Sequence, residues 1–437
     1  MKNRFSIAFG FIALIIVGAI LLSLPFSHST GKSGDFLTSL FTACSAVCVT
    51  GLTVVDIASE YSRIGQIIII VLVEIGCLGL MTCGTFIMIA IGRRLSLSRE
   101  FSLMNAYGVA QIQGLRGLIC WVVGSMLVIE ALGAAAIYAS LGDIYESVFY
   151  SVMSFCNAGF GLEKDSIASF ASDPFLVMAM AVETILGGIG FMVIYNLCTC
   201  RLSRFHGVRA ARMSLHTRVV LKMTFFLLAF AFLAFVAIEW NRTLQPFGGW
   251  QKLWVAFYQA VTPRTCGFCV IPTDSLHPLT RLIYEFLMFI GGAPGSSAAG
   301  IKVTTLAVLC FTIAAMCRGE RETVISKRIV PAEIVRESIV IFVAMIAFAL
   351  VVMGLLLITE NGGAIASDAL FFEAISAITT TGLSIGNTTA ELSPDGRIVI
   401  MVAMFLGRLG ALTVVMMIGD RESRSHIRYP AEELVVG

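Results

Sequence analysis

The hydrophobic pattern of this chain consists of long uncharged runs, spaced at intervals and separated by short polar connections. Eight segments are apolar enough to cross a bilayer, at 5–25, 64–91, 117–142, 174–200, 219–239, 279–317, 338–359 and 398–419. A spanning helix needs about 20 such residues. Between the members of each successive pair lies a shorter apolar piece, at 36–47, 144–155, 250–261 and 367–378. A helix of about a dozen residues is only about 18 Å long, too short for hydrocarbon about 30 Å thick. Each short piece runs into a glycine-containing turn and then another long segment, so the chain dips into the layer and returns. The predicted fold is an all-α membrane protein with eight transmembrane helices and four short re-entrant helices.

The four dips share a register. Phe41, Phe149, Phe257 and Phe372 each precede a glycine by ten positions (Gly51, Gly159, Gly267, Gly382). Each glycine is followed by a large apolar residue: Leu52, Phe160, Phe268 and Leu383. A second mark lies 24 to 28 residues further on, in Gly76-Cys77-Leu78-Gly79, Gly187-Gly188-Ile189-Gly190, Gly291-Gly292-Ala293 and Gly407-Arg408-Leu409-Gly410. Two marks aligned in four copies divide the chain into tandem repeats at 1–100, 101–212, 213–330 and 331–437. Their pore loops fall near 36–54, 144–163, 250–270 and 367–386.

Composition narrows the class. The chain is 57% hydrophobic and 13% charged, about half the charge of an ordinary soluble protein. A net charge of +2 gives no footprint for nucleic acid. The five histidines (His28, His206, His216, His277 and His426) avoid the long apolar runs, which leaves no ligand for haem and no relay within the membrane. The twelve cysteines lack metal-ligand spacing, and no HExxH occurs. The uncharged run from Phe5 to Pro25 exceeds a signal-peptide core and has no small-residue cleavage site after it, so it reads as a retained first span. With the N-terminus cytoplasmic, 20 of the 30 Lys and Arg fall on cytoplasmic segments, as the positive-inside bias requires. Both termini are then inside, and all four dips enter from the external face. Acids on that face, including Asp35, Asp56, Glu60, Asp143, Glu146, Glu163, Asp165 and Asp173, would concentrate cations at the mouth.

Irregular backbone is tolerated at membrane depth only where protein buries it or it lines a wet cavity. Four similar turns about one axis would surround a common centre with carbonyls, which can replace the water shell of a monovalent cation. Glycine suits such a turn because it reaches φ > 0 without a Cβ clash. The short helices would point their partly negative C-terminal ends at the same centre. The candidate carbonyl donors are Val49, Thr50 and Gly51; Asn157, Ala158 and Gly159; Thr265, Cys266 and Gly267; and Thr380, Thr381 and Gly382.

These residues resemble a known family. VCVTGL around Gly51, CNAGFG around Gly159, RTCGF around Gly267 and TTTGLS around Gly382 are similar to the four pore loops of the Trk/Ktr/HKT potassium transporters. GGAPGSSAAGIKVTT (291–305) resembles the intramembrane loop of the Ktr branch, and FLGRLGALT (405–413) its arginine-bearing fourth-repeat helix. The resemblance covers the whole chain and sits nearest the membrane subunit of the bacterial Ktr system. It implies a pseudo-four-fold pore in a homodimer in the bacterial cytoplasmic membrane. It also implies K⁺ uptake, Na⁺-dependent in many members, and a cytoplasmic KtrA-type ring that binds the nucleotide (ATP/ADP or NAD). This chain itself would hold no cofactor, only the permeant ion at the filter carbonyls. Pro263 and Cys266 depart from the family pattern at the third turn.

The third repeat carries a further expectation. Gly291, Gly292, Ala293, Pro294, Gly295, Ser296, Ser297 and Gly300 stand where the other units are expected to continue as helix. Proline removes a donor and clashes with the preceding turn, so a broken helix with a gating loop beneath the filter is expected. Arg408 aligns with Cys77, Gly188 and Gly292, well inside the last span. An arginine there costs roughly 2.5–3.5 kcal/mol unless it faces water or a partner. It is expected to form a barrier with the loop, or else an ion pair with Glu74 or Glu183. Lys302 would add to the barrier or snorkel. Arg264 would brace the third turn from behind. Glu74, Glu130, Glu183, Glu285 and Glu373 are acids at membrane depth, expected mainly to bond backbone or arginine. An alternating-access carrier for another cation or solute is the alternative reading, disfavoured because such folds use inverted repeats and two broken helices, whereas here the units run in one direction and one is interrupted. An enzyme is weaker still, with Ser296 and Ser297 the only suggestive hydroxyls.

Overall fold

The computed structural model describes residues 2–79, 82–83, 85–86, 89, 115–163, 165–205, 213–360 and 365–410. Four consecutive sets of helices follow one order: long, short, long. The first set is α1 (Lys2–Ser23), α2 (Phe36–Cys48) and α3 (Arg63–Leu78); the second is α4 (Leu115–Leu141), α5 (Ile144–Cys156), α6 (Pro174–Ile189) and α7 (Phe191–Phe205). The third holds α8 (Leu215–Glu239), α9 (Gly249–Val261), α10 (Pro278–Phe289) and α11 (Val303–Cys317); the fourth holds α12 (Ala332–Thr359), α13 (Ser367–Ile378) and α14 (Pro394–Leu409). A two-residue-per-strand hairpin, Val324–Ile325 with Arg328–Ile329, joins α11 to α12.

Three described helices are long and apolar enough to cross a membrane unaided: Arg116–Leu141, Leu215–Glu239 and Ala332–Thr359. Their outer faces leave Leu132, Phe225, Leu233 and Ile358 exposed. A soluble protein rarely tolerates so much exposed apolar surface, whereas lipid solvates it.

Local sequence explains where the short helices start and stop. Asp35 and Asp143 cap α2 and α5, accepting from Thr38 N at 3.0 Å and Glu146 N at 3.1 Å. The Thr38 N–H and hydroxyl hold the exposed Asp35 carboxyl below the usual carboxylate range. At the other end, Thr50 N, Ala158 N and Thr381 N each donate to a carbonyl five residues back (Ser45, Met153 and Ser376, 2.8–2.9 Å), the six-to-one closure of a Schellman motif. The third loop differs. Pro263 has no N–H, and Cys266 N donates only four residues back, to Thr262 O at 3.1 Å.

The sets close into a ring. In the first, second and fourth sets the short helix packs on both long neighbours; in the third it packs on α8, which in turn packs on α10. Between sets, α3 packs on α5, α6 on α9, α10 on α13, and α14 returns to α2. The second glycine mark makes this close packing possible. Gly76, Gly187 and Gly407 lie so near the carbonyls of Val47, Phe155 and Ile378 that a Cβ would overlap each oxygen. Local bonding repeats as well: Arg281 and Arg397 each donate through Nε to the carbonyl five residues earlier (Leu276 and Leu392, 3.1 Å).

One expectation is corrected. The helix break is not confined to the third set. α3, α6 and α14 stop at Gly79, Gly190 and Gly410, with φ of 76°, 93° and 82°, and α6 and the described part of α7 are bent by 96°. Glycine enters this region without a Cβ clash, so each long segment ends where its second mark supplies one. In the third set the gap is wider, from α10 to α11. Of the segments at 64–91 and 398–419, the parts beyond Gly79 and Gly410 lie largely or wholly outside the described residues, as do Arg93, Arg94, Arg99, Arg421, Arg424 and Arg428.

Candidate ion pathway

The four turns meet. A Cβ on Gly267 would lie 2.7 Å from Thr381 O and 3.1 Å from Gly159 Cα. On Gly159 it would lie 2.9 Å from Cys266 O. On Gly51 it would overlap Ala158 O, and on Gly382 it would overlap Thr50 O. Each glycine therefore abuts the carbonyl preceding its neighbour's glycine, in the cyclic order 51, 159, 267, 382 and back to 51. All four glycines have positive φ, between 66° and 90°.

Two residues before each glycine stands a second left-handed residue: Val49 (57°), Asn157 (60°), Thr265 (67°) and Thr380 (48°). The residues between (Thr50, Ala158, Cys266, Thr381) are not left-handed. Alternation of handedness turns successive peptide units the same way, whereas an extended strand alternates its carbonyls from side to side. Among the described residues, none of the twelve candidate donors offers its carbonyl to a hydrogen bond. Their amides are largely committed to the ends of their own short helices, and all twelve residues are buried except Gly159 and Gly382, which are half-buried. Buried carbonyls without partners are uncommon, and unpaired carbonyls gathered where four turns meet are chemically able to replace the water shell of a cation. Sequence reasoning assigned left-handed geometry to the glycines alone. The non-glycine set was missed because Val and Thr rarely adopt φ > 0; its signals are the fixed offset from the glycine and Asn157, a residue type that tolerates the left-handed region.

Above the ring lies a cavity of about 380 Å³ lined by all four glycines, with Asp56 and Glu163 on its wall. Leu52, Phe160, Phe268 and Leu383 are turned away from solvent and buried, anchoring each loop from behind.

Below it runs the segment 291–300. Its backbone docks on the bend between α6 and α7: Ala293 N donates to Gly188 O (3.0 Å), Ser297 N to Gly187 O (3.3 Å), and Phe191 N to Gly295 O (3.1 Å). Gly291, Gly292, Ala293 and Ser297 are buried, while Pro294, Gly295, Ser296 and Gly300 are half-buried. Gly295 and Gly300 are left-handed (70° and 71°). Lys302 Nζ donates to Ala298 O at 2.7 Å. Arg408 donates to Ser297 O and, at 2.5 Å, to Gly76 O, tying α14 to both the segment and α3. The alternative ion pair with Glu74 or Glu183 is not formed: the ion pairs among the described residues are His28–Glu60 and Arg281–Asp368. Arg264 Nη2 reaches Gly291 O at 3.3 Å, linking the third turn to the start of the segment.

The membrane-depth acids are not equivalent. Glu183 accepts from Ser151 Oγ at 2.5 Å. Glu373 accepts from the Thr389 hydroxyl. Glu74, Glu130 and Cys156 bring ligand atoms within 4.8 Å of one another, a gathering from three separate helices that no local spacing announces.

A ring of carbonyls at the meeting point of four helix sets, in a chain with lipid-facing spans, defines a membrane protein that transports cations. Comparison with known proteins agrees: the TrkH family of cation transport proteins matches residues 2–425, and the chain belongs to that family. It is 35% identical to the Ktr system potassium uptake protein B of Bacillus subtilis, over 99% of this chain and 96% of the relative. It is 33% identical to the potassium/sodium uptake protein NtpJ of Enterococcus hirae, over 99% and 96%. The crystal structure of the potassium transporter TrkH from Vibrio parahaemolyticus shares the fold, with a TM-score of 0.77 at 15% identity over 97% of this chain and 86% of that one. These relatives are transporters, not enzymes.

Proposed function

We propose that the chain takes up potassium across the bacterial cytoplasmic membrane through a channel-like pore. The observation that carries this reading is the closed ring of four abutting turns, whose twelve carbonyls have no hydrogen-bond partners among the described residues. The potassium uptake named for the relatives supports the choice of ion. In this reading the four helix sets are tandem repeats with eight spans and four re-entrant pore helices about a pseudo-four-fold axis, both termini being cytoplasmic. The twelve donors from Val49 to Gly382 form the filter, and K⁺ is the cargo they dehydrate.

The segment 291–300, with Lys302 and Arg408, is the gate. Two cations beneath the carbonyl ring oppose a descending K⁺, and Arg408 holds the segment in place through Ser297. Homodimerisation, control by a cytoplasmic KtrA-type ring carrying ATP/ADP or NAD, and use of Na⁺ belong to the same proposal. They rest on the family resemblance and on the Ktr system named for the relatives.

Uptake of ⁸⁶Rb⁺ in a bacterium lacking its own K⁺ uptake tests the reading. The chain should restore uptake, and Gly382→Ser should reduce discrimination of K⁺ over Na⁺ at unchanged membrane abundance. Intact discrimination in that variant would overturn it. An alternating-access carrier gains support from the breaks at Gly79, Gly190 and Gly410. It predicts turnover that saturates at carrier rates and falls when the bends are stiffened, with no effect of Gly382→Ser on ion choice.

A further inference from the structure

Nine positions before each ring glycine, the short helices carry Thr42, Tyr150, Tyr258 and Glu373. All four are polar and at most 1% exposed, in helices otherwise rich in apolar side chains. In three of the sets the side chain is tied to the outgoing loop or its flank. Tyr150 Oη accepts from Leu162 N at 3.2 Å, just beyond the second ring glycine. Tyr258 Oη lies 3.6 Å from Cys266 Sγ in the third loop. Thr42 Oγ1 accepts from Tyr61 Oη at 3.2 Å, and Tyr61 follows the first loop. The position is thus a brace between a short helix and the chain leaving its turn.

The fourth set uses a carboxyl group where the others use hydroxyls. Glu373 is fully buried. Its Oε1 accepts from Thr389, whose hydroxyl lies 3.3 Å from Ser384 Oγ. Ser384 and Thr389 line the cavity above the ring, and Ser384 stands two residues after Gly382. Oε2 has no partner among the described residues, so the interaction with Thr389, itself in contact with Ser384, is what holds the group. A buried acceptor that loses its donors, or donors that lose their acceptor, bear the full desolvation penalty of the unpaired group. That is enough to shift a loop whose carbonyls must match an ion.

We propose that Glu373 is a positioning residue for ion selection: through Thr389 and Ser384 it fixes the outgoing strand of the fourth turn, and hence the Thr381 and Gly382 carbonyls. This rests on the reading of the turns as a filter. A glutamine keeps the Oε1 acceptor and the volume; an alanine keeps neither.

The test is uptake of ⁸⁶Rb⁺ and ²²Na⁺ into proteoliposomes containing the purified full chain. Glu373→Ala should lower the Rb⁺/Na⁺ ratio about tenfold, and Glu373→Gln should restore it to within about threefold of the parent. A merely structural residue would lower both fluxes and the melting temperature together and leave the ratio unchanged; that result overturns the proposal. If the alanine variant fails to fold, Thr389→Val removes the donor instead and is held to the same ratio. Gly382→Ser run in parallel separates the two failures. If it lowers the ratio while Glu373→Ala and Thr389→Val do not, the brace is wrong. If it also leaves the ratio unchanged, the filter itself is wrong.

Discussion

Replacing Gly267 by alanine tests the ring where its geometry is tightest without a direct overlap. Gly267 has φ 85°. A side chain there pays left-handed strain of roughly 1–2 kcal/mol. The added Cβ would also stand 2.7 Å from Thr381 O and 3.3 Å from Gly382 Cα. Both are backbone atoms of the neighbouring loop, so no flexible side chain can yield. Overpacking of this kind costs roughly 1–3 kcal/mol. The combined strain of about 2–5 kcal/mol must be relieved by moving Thr381, whose carbonyl is itself a donor. Since about 1.4 kcal/mol of differential binding is tenfold, the K⁺ over Na⁺ preference should fall at least about tenfold. Paired ⁸⁶Rb⁺ and ²²Na⁺ uptake measures this. Gly319→Ala is the control: φ is 72°, but no atom lies within 4 Å of its added Cβ, so stability falls by about 1 kcal/mol and the preference stands. If Gly267→Ala behaved like Gly319→Ala, the four turns would not be acting together on one ion, and the site would have to be sought elsewhere.

Further outcomes follow from the other contacts. Arg408→Ala removes the bonds to Ser297 O and Gly76 O; K⁺ flux should rise several-fold, and flux at or below the parent's with normal abundance would deny Arg408 a barrier role. Deletion of 292–300 should raise flux further, since it removes the segment that Arg408 holds. Asp35→Ala deletes a helix cap and should cost about 1 kcal/mol by thermal melting. The folded Asp35 carboxyl titrates below its unfolded range, so its contribution is full at neutral pH and fades as pH drops through the folded value. The stability gap between parent and variant should therefore close in acid and stay open above about pH 4.

Much of the site was legible because repetition compensates for weak local signals. One glycine says little; Gly51, Gly159, Gly267 and Gly382 at one offset from four phenylalanines mark four turns. The same logic located Arg408 and the 291–300 segment. What escaped has a common cause, since it depends on which surfaces touch. Gly76, Gly187 and Gly407 are glycine because α2, α5 and α13 approach them end-on, a reason visible only after the ring closes. Val49, Thr265 and Thr380 take a left-handed conformation that their side chains disfavour and that tertiary packing imposes, whereas Asn157 takes one that asparagine tolerates. Breaks at Gly79, Gly190 and Gly410 were hidden because the apolar runs continue through them without a proline.

Those helix ends bear on the proposed gate. If only the third set were interrupted, the segment would be a local insertion that obstructs an otherwise rigid pore. With α3, α6 and α14 all ending at left-handed glycines, every set has a helix that stops just below the ring, and the segment lies among those helix ends. Its backbone amides are taken up by Gly187 and Gly188, so it borrows carbonyls that α6 would have used had it continued through Gly190. Arg408 does the same at the end of α3. The segment is therefore held by the ends of its neighbours' helices, through Gly187, Gly188 and Gly76, with no carboxylate among the described residues pairing with Arg408. Straightening any of those helices would withdraw the acceptors and release it. In the proposed gate, release of the segment is thus coupled by hydrogen bonding to the ends of α3 and α6, through the Ala293–Gly188, Ser297–Gly187, Phe191–Gly295, Arg408–Ser297 and Arg408–Gly76 contacts.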